Sequence, residues 1–287
     1  MSQSRGTVVV VSSHVARGSV GNRAMTFALE RLGFTAWVVP TVVMAHHPGH
    51  GPTPRIVPEA EPFAALLRKL VEGERAAEVA AVLSGYLASE SQAQAVAELV
   101  ATVRQARPEA LYLCDPVIGD AGHLYVGEPL ANAMRDRLVP LADIATPNRF
   151  ECAWLAGAGN GDWEAADIGA LARSLGRPAI LATSAPALRR GGIGNLLVEQ
   201  TGATLVEHPV VATGVKGTGD LLAAVLLARR LEGHSLQRAL ELAASTTFEI
   251  LAATERAGGD ELMLAEFRAA IAHPQAPVHV SRIAMRT

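Results

Sequence analysis

The chain has 287 residues, 49% hydrophobic and 18% charged, which is ample for one large core. A formal net charge of −3 without any Lys/Arg-rich run argues against nucleic acid or an anionic membrane surface as the main partner. The start "MSQSRGTVVVVSSH" lacks the pattern of a secretory leader, no window reaches the ~18 apolar residues of a membrane span, and Cys114 and Cys152 stand far apart in apolar runs, so a soluble cytoplasmic protein with two buried thiols is expected.

Strands and helices alternate along the sequence. "TVVVVSS" (7–13) is a short β-branched strand, followed by the helical "NRAMTFALERLG", which Gly33 closes. "TAWVVPTVV" (35–43) is the next strand and "EVAAVLSGYL" (78–87) another; a long amphipathic helix then starts at Ser89 or Ser91. Apolar runs at 110–117, 143–148 and 178–185 end in polar residues, and 195–211 reads as a hairpin around Thr201-Gly202. Helices at 218–231, 235–255 and about 260–272 close the chain. Apolar strands alternating with helices indicate one three-layer α/β/α domain with a mostly parallel central sheet.

In such folds ligands sit beyond the carboxyl ends of the strands. Those ends carry Ser12-Ser13-His14, Ser84-Gly85-Tyr86, Asp115-Pro116 with Asp120 soon after, Thr146-Pro147-Asn148 with Glu151, and Thr183-Ser184. A sixth feature is "TGVKGTGDLLAAVLLARR" (213–230), a glycine loop opening a helix. Free N–H groups at a helix start hold phosphate well, but the carboxylate of Asp220 in the same place repels it and needs another reason to be there. Walker, dinucleotide, HExxH, GxSxG and paired CxxC motifs are absent. His123, His208, His234, His273 and His279 read as surface or satisfied residues, and "HHPGHGPTP" reads as a mobile flap rather than a metal site.

"GTGD" opening a helix, with "CDPVIGD" and "TPNRFE" upstream, resembles the ribokinase-like superfamily and its vitamin-kinase branch. Within it, "SSHVARGSVGNRAMTF" is similar to the amino-terminal segment of pyridoxal kinases, and "VLSGYL", "YLCDPVIGDAGHLYV" and "VPLADIATPNRFE" follow in the family's order. The similarity runs from about residue 7 to residue 250; its amino-terminal segment discriminates best, because GTGD is common to sugar and vitamin kinases.

The resemblance implies ATP-dependent phosphorylation of the 5′-hydroxymethyl group of pyridoxal, with pyridoxine and pyridoxamine as further candidate substrates. Asp220 would take the alcohol proton, and the N–H groups of Gly217, Thr218 and Gly219 would stabilise the moving phosphoryl group. Asp120 and Glu151 would hold the Mg²⁺ region, with Asp115 and Thr146 near a monovalent cation or the β-phosphate. Asn148, Thr183 and Ser184 match positions beside the ATP phosphates, as do Asp115, Glu151 and Thr218, while Val211 and Thr213 match a segment beside the nucleotide. Ser13, Val20, Met44, His47, Tyr86 and Tyr125 match the vitamin side. A flap at 46–55 and a lid loop at 119–127 would close over the site, and the family often forms homodimers. The chain departs from the family where Met44-Ala45-His46-His47-Pro48 replaces the usual Phe-Ser-Asn-His-Thr. Two alternatives stay open: a hydroxymethylpyrimidine kinase, and a non-catalytic binder of pyridoxal phosphate.

Overall fold

A computed structural model describes residues 5–284. In chain order its elements are β1 (Thr7–Val15), α1 (Asn22–Arg31), β2 (Thr35–Met44), β3 (Arg55–Ile56), α2 (Ala60–Leu70), α3 (Arg75–Glu78), β4 (Val79–Ser84), α4 (Glu90–Ala106), β5 (Leu111–Cys114), β6 (Gly119–Asp120) and β7 (His123–Leu124). The second half contributes α5 (Glu128–Ala133), β8 (Ile144–Ala145), α6 (Arg149–Leu155), α7 (Ala165–Ser174), β9 (Ala179–Pro186), β10 (Gly192–Glu199), β11 (Gly202–Pro209), α8 (Thr218–Leu231), α9 (Leu236–Arg256), α10 (Ala269–Ala272) and β12 (His279–Ile283).

Among the described residues ten strands form one sheet in the order β12-β11-β10-β9-β8-β5-β4-β1-β2-β3, and β6 pairs with β7 in a separate ribbon. The six strands from β9 to β2 run parallel, while β10, β11 and β12 on one side and β3 on the other pair antiparallel. β1, between β4 and β2, shows why this sheet is covered on both faces. Val9 and Val11 point into a core with Phe63 of α2, Val96 of α4, Leu130 of α5 and Ile168 of α7. Val8 and Val10 point the other way, onto Leu29 of α1, Leu226 of α8 and Leu240 of α9. A strand buried on both faces has no polar face to alternate with, hence its run of valines. The three-layer α/β/α fold is as expected, and Cys114 and Cys152 are buried free thiols. Among the described residues no helix is long and apolar enough to cross a membrane.

Three expectations need correction. The helix expected at 260–272 survives only as α10; residues 259–268 form a strap whose acids, Asp260 and Glu261, bond side chains and backbone near the strand ends instead of lying on a helix face. The runs at 110–117 and 143–148 form regular ladder only over β5 and β8, because Pro116 and Pro147 lack the N–H that would extend it; beyond Pro147 a single bridge joins Asn148 to Thr183. Helix α2, the short helices α5 to α7 and edge strand β12 were not read from the sequence.

Candidate active site

Two glycine turns meet at the carboxyl end of β1. Gly21, with φ 54°, leads into α1, and a Cβ there would collide with the Ser13 carbonyl. Gly217, with φ 95°, is the N-cap of α8, and its Cβ would collide with the carbonyl oxygen of Ser19. Both positions therefore need glycine for backbone sign and for space. Their fit brings the Gly21 N–H onto the Asp220 carboxylate. Asn22, buried one residue further on, donates to the Ser12 and Val39 carbonyls at 2.8 and 3.2 Å, pinning β1 to β2 where they reach the site.

The start of α8 has no side-chain cap, and a Cβ on Gly219 would meet nothing within 4 Å. Unspent helix N–H groups thus face open space, an arrangement suited to an anion. Asp220 lies in the same first turn. Burial pushes its carboxyl up to about 6, against the pull of the Gly21 N–H.

The other acids gather around it. Asp115, just past β5, is buried; desolvation and then the Asp220 charge push it up to about 7, opposed by a 2.9 Å hydrogen bond from the Thr146 hydroxyl. Glu151 is buried and raised well above the carboxylate range, by desolvation and then by Asp115. Its oxygens accept from the N–H groups of Ile118 (2.9 Å), Gly119 (3.2 Å) and Asn148 (2.8 Å). With Asn148 it forms a capping box on α6, and the Asn148 amide also donates to the Gly119 carbonyl at 2.7 Å. Asn148 and Glu151 therefore fasten the loop at 118–120 to the start of α6. Asp120, on that loop, is exposed and accepts from the Ala121 N–H at 2.7 Å. Burial raises the Tyr125 phenol, and Glu151, Asp120, Asp115 and Asp220 raise it further, so four carboxylates act on this one ring. Such hard oxygen donors fit a divalent cation that keeps several waters and binds phosphate. Among the described residues no three His, Cys, Asp or Glu side chains form a ready-made metal cage.

Thr183 donates its backbone N–H to the Pro147 carbonyl at 2.8 Å and bridges to Asn148, while exposed Ser184 has φ 54°. Val211 and Thr213 line the loop into α8, where the Thr213 hydroxyl accepts from the Val215 N–H at 3.2 Å.

On the opposite side, Val15, Val20, Val42 and Met44 form a small apolar cluster with Tyr86 and Ala88 packed against it. Ser13 is buried beside Gly21, and Met44 is buried too, as part of the apolar floor. The Tyr86 hydroxyl accepts from Arg55 at 2.6 Å, and the Arg55 guanidinium lies 5.8 Å from the ring centroid. On the flap, the Pro48–His50 turn is capped by His47, whose Nδ1 accepts from the Gly49 N–H at 2.9 Å, and Pro48 is exposed. Burial lowers the His47 imidazole; Glu261 opposes that and Lys216 adds to it, so the flap stands beside the glycine loop.

The profile of the phosphomethylpyrimidine kinase family matches residues 22–262. Pyridoxal kinase PdxY of Rubrobacter xylanophilus is 38% identical, over 99% of this chain and 100% of its own. The chain belongs to the pyridoxal kinase family. Another relative, the pyridoxine/pyridoxal/pyridoxamine kinase of Bordetella avium, is 37% identical over 90% of this chain and 88% of its own. Among solved structures, a pyridoxal kinase from Leishmania donovani in complex with ADP and ginkgotoxin superposes with a TM-score of 0.88 at 29% identity, covering 97% of this chain and 100% of that one.

For a pyridoxal kinase family member, the sequence reading found most of the polar groups gathered here. It missed Arg55, which reaches Tyr86 from β3, and Glu261, which reaches the flap from the strap. Both act over long sequence separations, and neither lies in a motif.

Proposed function

We propose that this protein is an ATP-dependent vitamin B6 kinase, transferring the γ-phosphoryl group to the 5′-hydroxymethyl oxygen of pyridoxal, with pyridoxine and pyridoxamine as further acceptors. The observation carrying this reading is Asp220, a carboxyl raised to about 6 in the first turn of an uncapped helix that faces open space. Phosphate beside those N–H groups explains the glycines; a base beside the attacking alcohol explains the acid. The vitamin lies against Val20, Met44 and Tyr86, with Ser13 and His47 offering polar contacts and Tyr125 above. Asp220 accepts the hydroxyl proton while the vitamin oxygen bonds to the γ-phosphorus and the bond to the β-phosphate oxygen breaks. ADP leaves with that bond's electron pair, and the proton passes from Asp220 to solvent. The N–H groups of Gly217, Thr218 and Gly219 receive the charge that builds on the phosphoryl oxygens.

Asp115, Asp120 and Glu151, with Thr146 beside them, would hold a Mg²⁺ that would neutralise phosphate charge, and Asp115 with Thr146 would also suit a monovalent cation. Asn148, Thr183 and Ser184 lie on the ATP phosphate side, and Val211 with Thr213 beside the nucleotide. The chain works as one domain whose flap (46–55) and lid loop (119–127) exclude water, and we assign it to the cytoplasm as a homodimer. A hydroxymethylpyrimidine kinase is the second reading, because the matching family profile is that of phosphomethylpyrimidine kinases, which act on a pyrimidine of the same kind.

The deciding experiment is a coupled ATP assay across pyridoxal, pyridoxine, pyridoxamine and hydroxymethylpyrimidine, with products weighed by mass spectrometry. Turnover of B6 vitamers is expected. Turnover of the pyrimidine alone would favour the second reading, and turnover of none would defeat both.

A further inference from the structure

The strap at 259–268 leaves the end of α9 and crosses towards the site. It is firmly seated: Leu262 and Leu264 are buried in the core, the Gly259 N–H bonds the Thr254 carbonyl at 3.0 Å, and the Thr254 hydroxyl accepts from the Met263 N–H at 3.1 Å. Glu261 projects from this anchored segment, its side chain 13% exposed. One carboxylate oxygen accepts from the His50 Nε2–H on the flap at 2.8 Å; the other accepts from the Ser19 N–H in the loop between β1 and α1 at 3.2 Å. An Arg17–Asp260 ion pair also ties the strap to that loop, but both partners are exposed, so its share is small.

The loop is shaped to admit this carboxylate. Gly18 has φ 112°, and a Cβ there would collide with the Glu261 carboxylate. Ser19 in turn rests its carbonyl where a Cβ on Gly217 would go. One side chain thus bonds the flap and the loop that seats the phosphate-binding glycines.

We propose that Glu261 is a positioning residue that latches the flap to the β1–α1 loop and so sets the substrate side of the site. The flap turn itself, at 48–50, is exposed, so its order depends on such ties more than on burial. This inference rests on the kinase reading for its kinetic consequences, though not for the latch itself.

The test compares wild type with Glu261→Ala, Glu261→Gln, His50→Ala and the Glu261→Ala/His50→Ala double variant. In the unliganded protein, amide hydrogen exchange should quicken at 16–21 and 47–56 in Glu261→Ala, leaving the core strands unchanged. KM for pyridoxal should rise about tenfold, from two lost hydrogen bonds, while KM for ATP stays within about twofold. Glu261→Gln, which keeps an acceptor, should recover part of the loss. The double variant should match Glu261→Ala, since His50 acts through the same bond. Unchanged exchange in both segments, a parallel rise in both KM values, or multiplied effects in the double variant would overturn the latch. A wild type that phosphorylates no B6 vitamer would overturn the kinase reading instead, and exchange in the unliganded proteins would still decide the latch.

Discussion

Asp220 has two neighbours that oppose each other: the Gly21 N–H favours its charge, and burial disfavours it more, leaving the carboxyl at about 6. Asp115, at about 7, is raised in part by that same charge, so the two acids titrate as a coupled pair. A base works only when ionised. Turnover should therefore fall as pH drops through the range from about 7 to about 6 and level off above it. Asp220→Asn keeps size and loses the basic lone pair, so turnover should fall by roughly 10²–10⁴-fold while ATP binding holds. The same substitution removes the charge acting on Asp115, whose titration should move down. The measurements are pH–rate profiles of both proteins and ATP binding by calorimetry. A loss of only a few-fold, or an unchanged acid limb in the variant, would leave Asp220 as a mere helix-start acid. Glu151 shows where sequence stops at this scale. An acid at the third position of a helix reads equally as a cap or a metal ligand; the three N–H groups around it show that it caps α6 and ties in residues 118 and 119, while an Oε2 lone pair is left over for a cation.

Helix α8 contrasts two glycines two residues apart. Gly217→Ala meets the Ser19 carbonyl at a left-handed φ, so it should destabilise the fold by roughly 1–3 kcal/mol, read from urea midpoints. Gly219→Ala sits in helical backbone with free space around it, so stability should hold or rise by up to ~1 kcal/mol. Its methyl would stand in the phosphate space, so KM for ATP should rise even so. Equal effects of the two substitutions on stability would sink this division of labour. "GTGD" marks a glycine loop opening a helix, yet the reason for Gly217 is not legible there, because the Ser19 carbonyl it avoids lies some two hundred residues upstream. Elements divide in the same way. β1, β4, α4, α8 and α9 carry their own patterns, β-branched runs or amphipathic periods, and were read correctly. Edge strand β12, "HVSRI", owes its existence to pairing with β11 and carries little signal of its own. The strap defeated the reading because "DELMLAEFRAA" has helical composition, while its first acids bond elsewhere.

Across the whole molecule, parallel strands end on one edge and deliver Asp115, Glu151 and the lid loop to α8, so the architecture that makes the site also forces acids into a desolvated place. All three raised carboxyls owe their shift first to burial. The unliganded protein should therefore be strained by its own site, and Asp115 is the cleanest place to measure it. Its folded value, about 7, lies above the ordinary Asp value of ~3.9. A carboxyl raised on folding contributes its full stabilisation below the unfolded value and loses it as pH climbs through the folded one. Wild type should lose this contribution between about pH 4 and about pH 7, whereas Asp115→Asn has no proton to lose. Asparagine can still accept the Thr146 hydroxyl bond, so packing and hydrogen bonding are largely kept. The variant should match wild type near pH 4 and exceed it at about pH 8 by on the order of 2–4 kcal/mol in unfolding free energy. Adding Mg²⁺ and ADP should narrow the gap by stabilising wild type more, because the ionised acid then meets a cation. Urea denaturation at both pH values, with and without Mg²⁺ and ADP, supplies the comparison. A variant less stable than wild type at pH 8, or a difference independent of pH, would mean that Asp115 is satisfied as a charge in the unliganded fold and that the site stores no such strain.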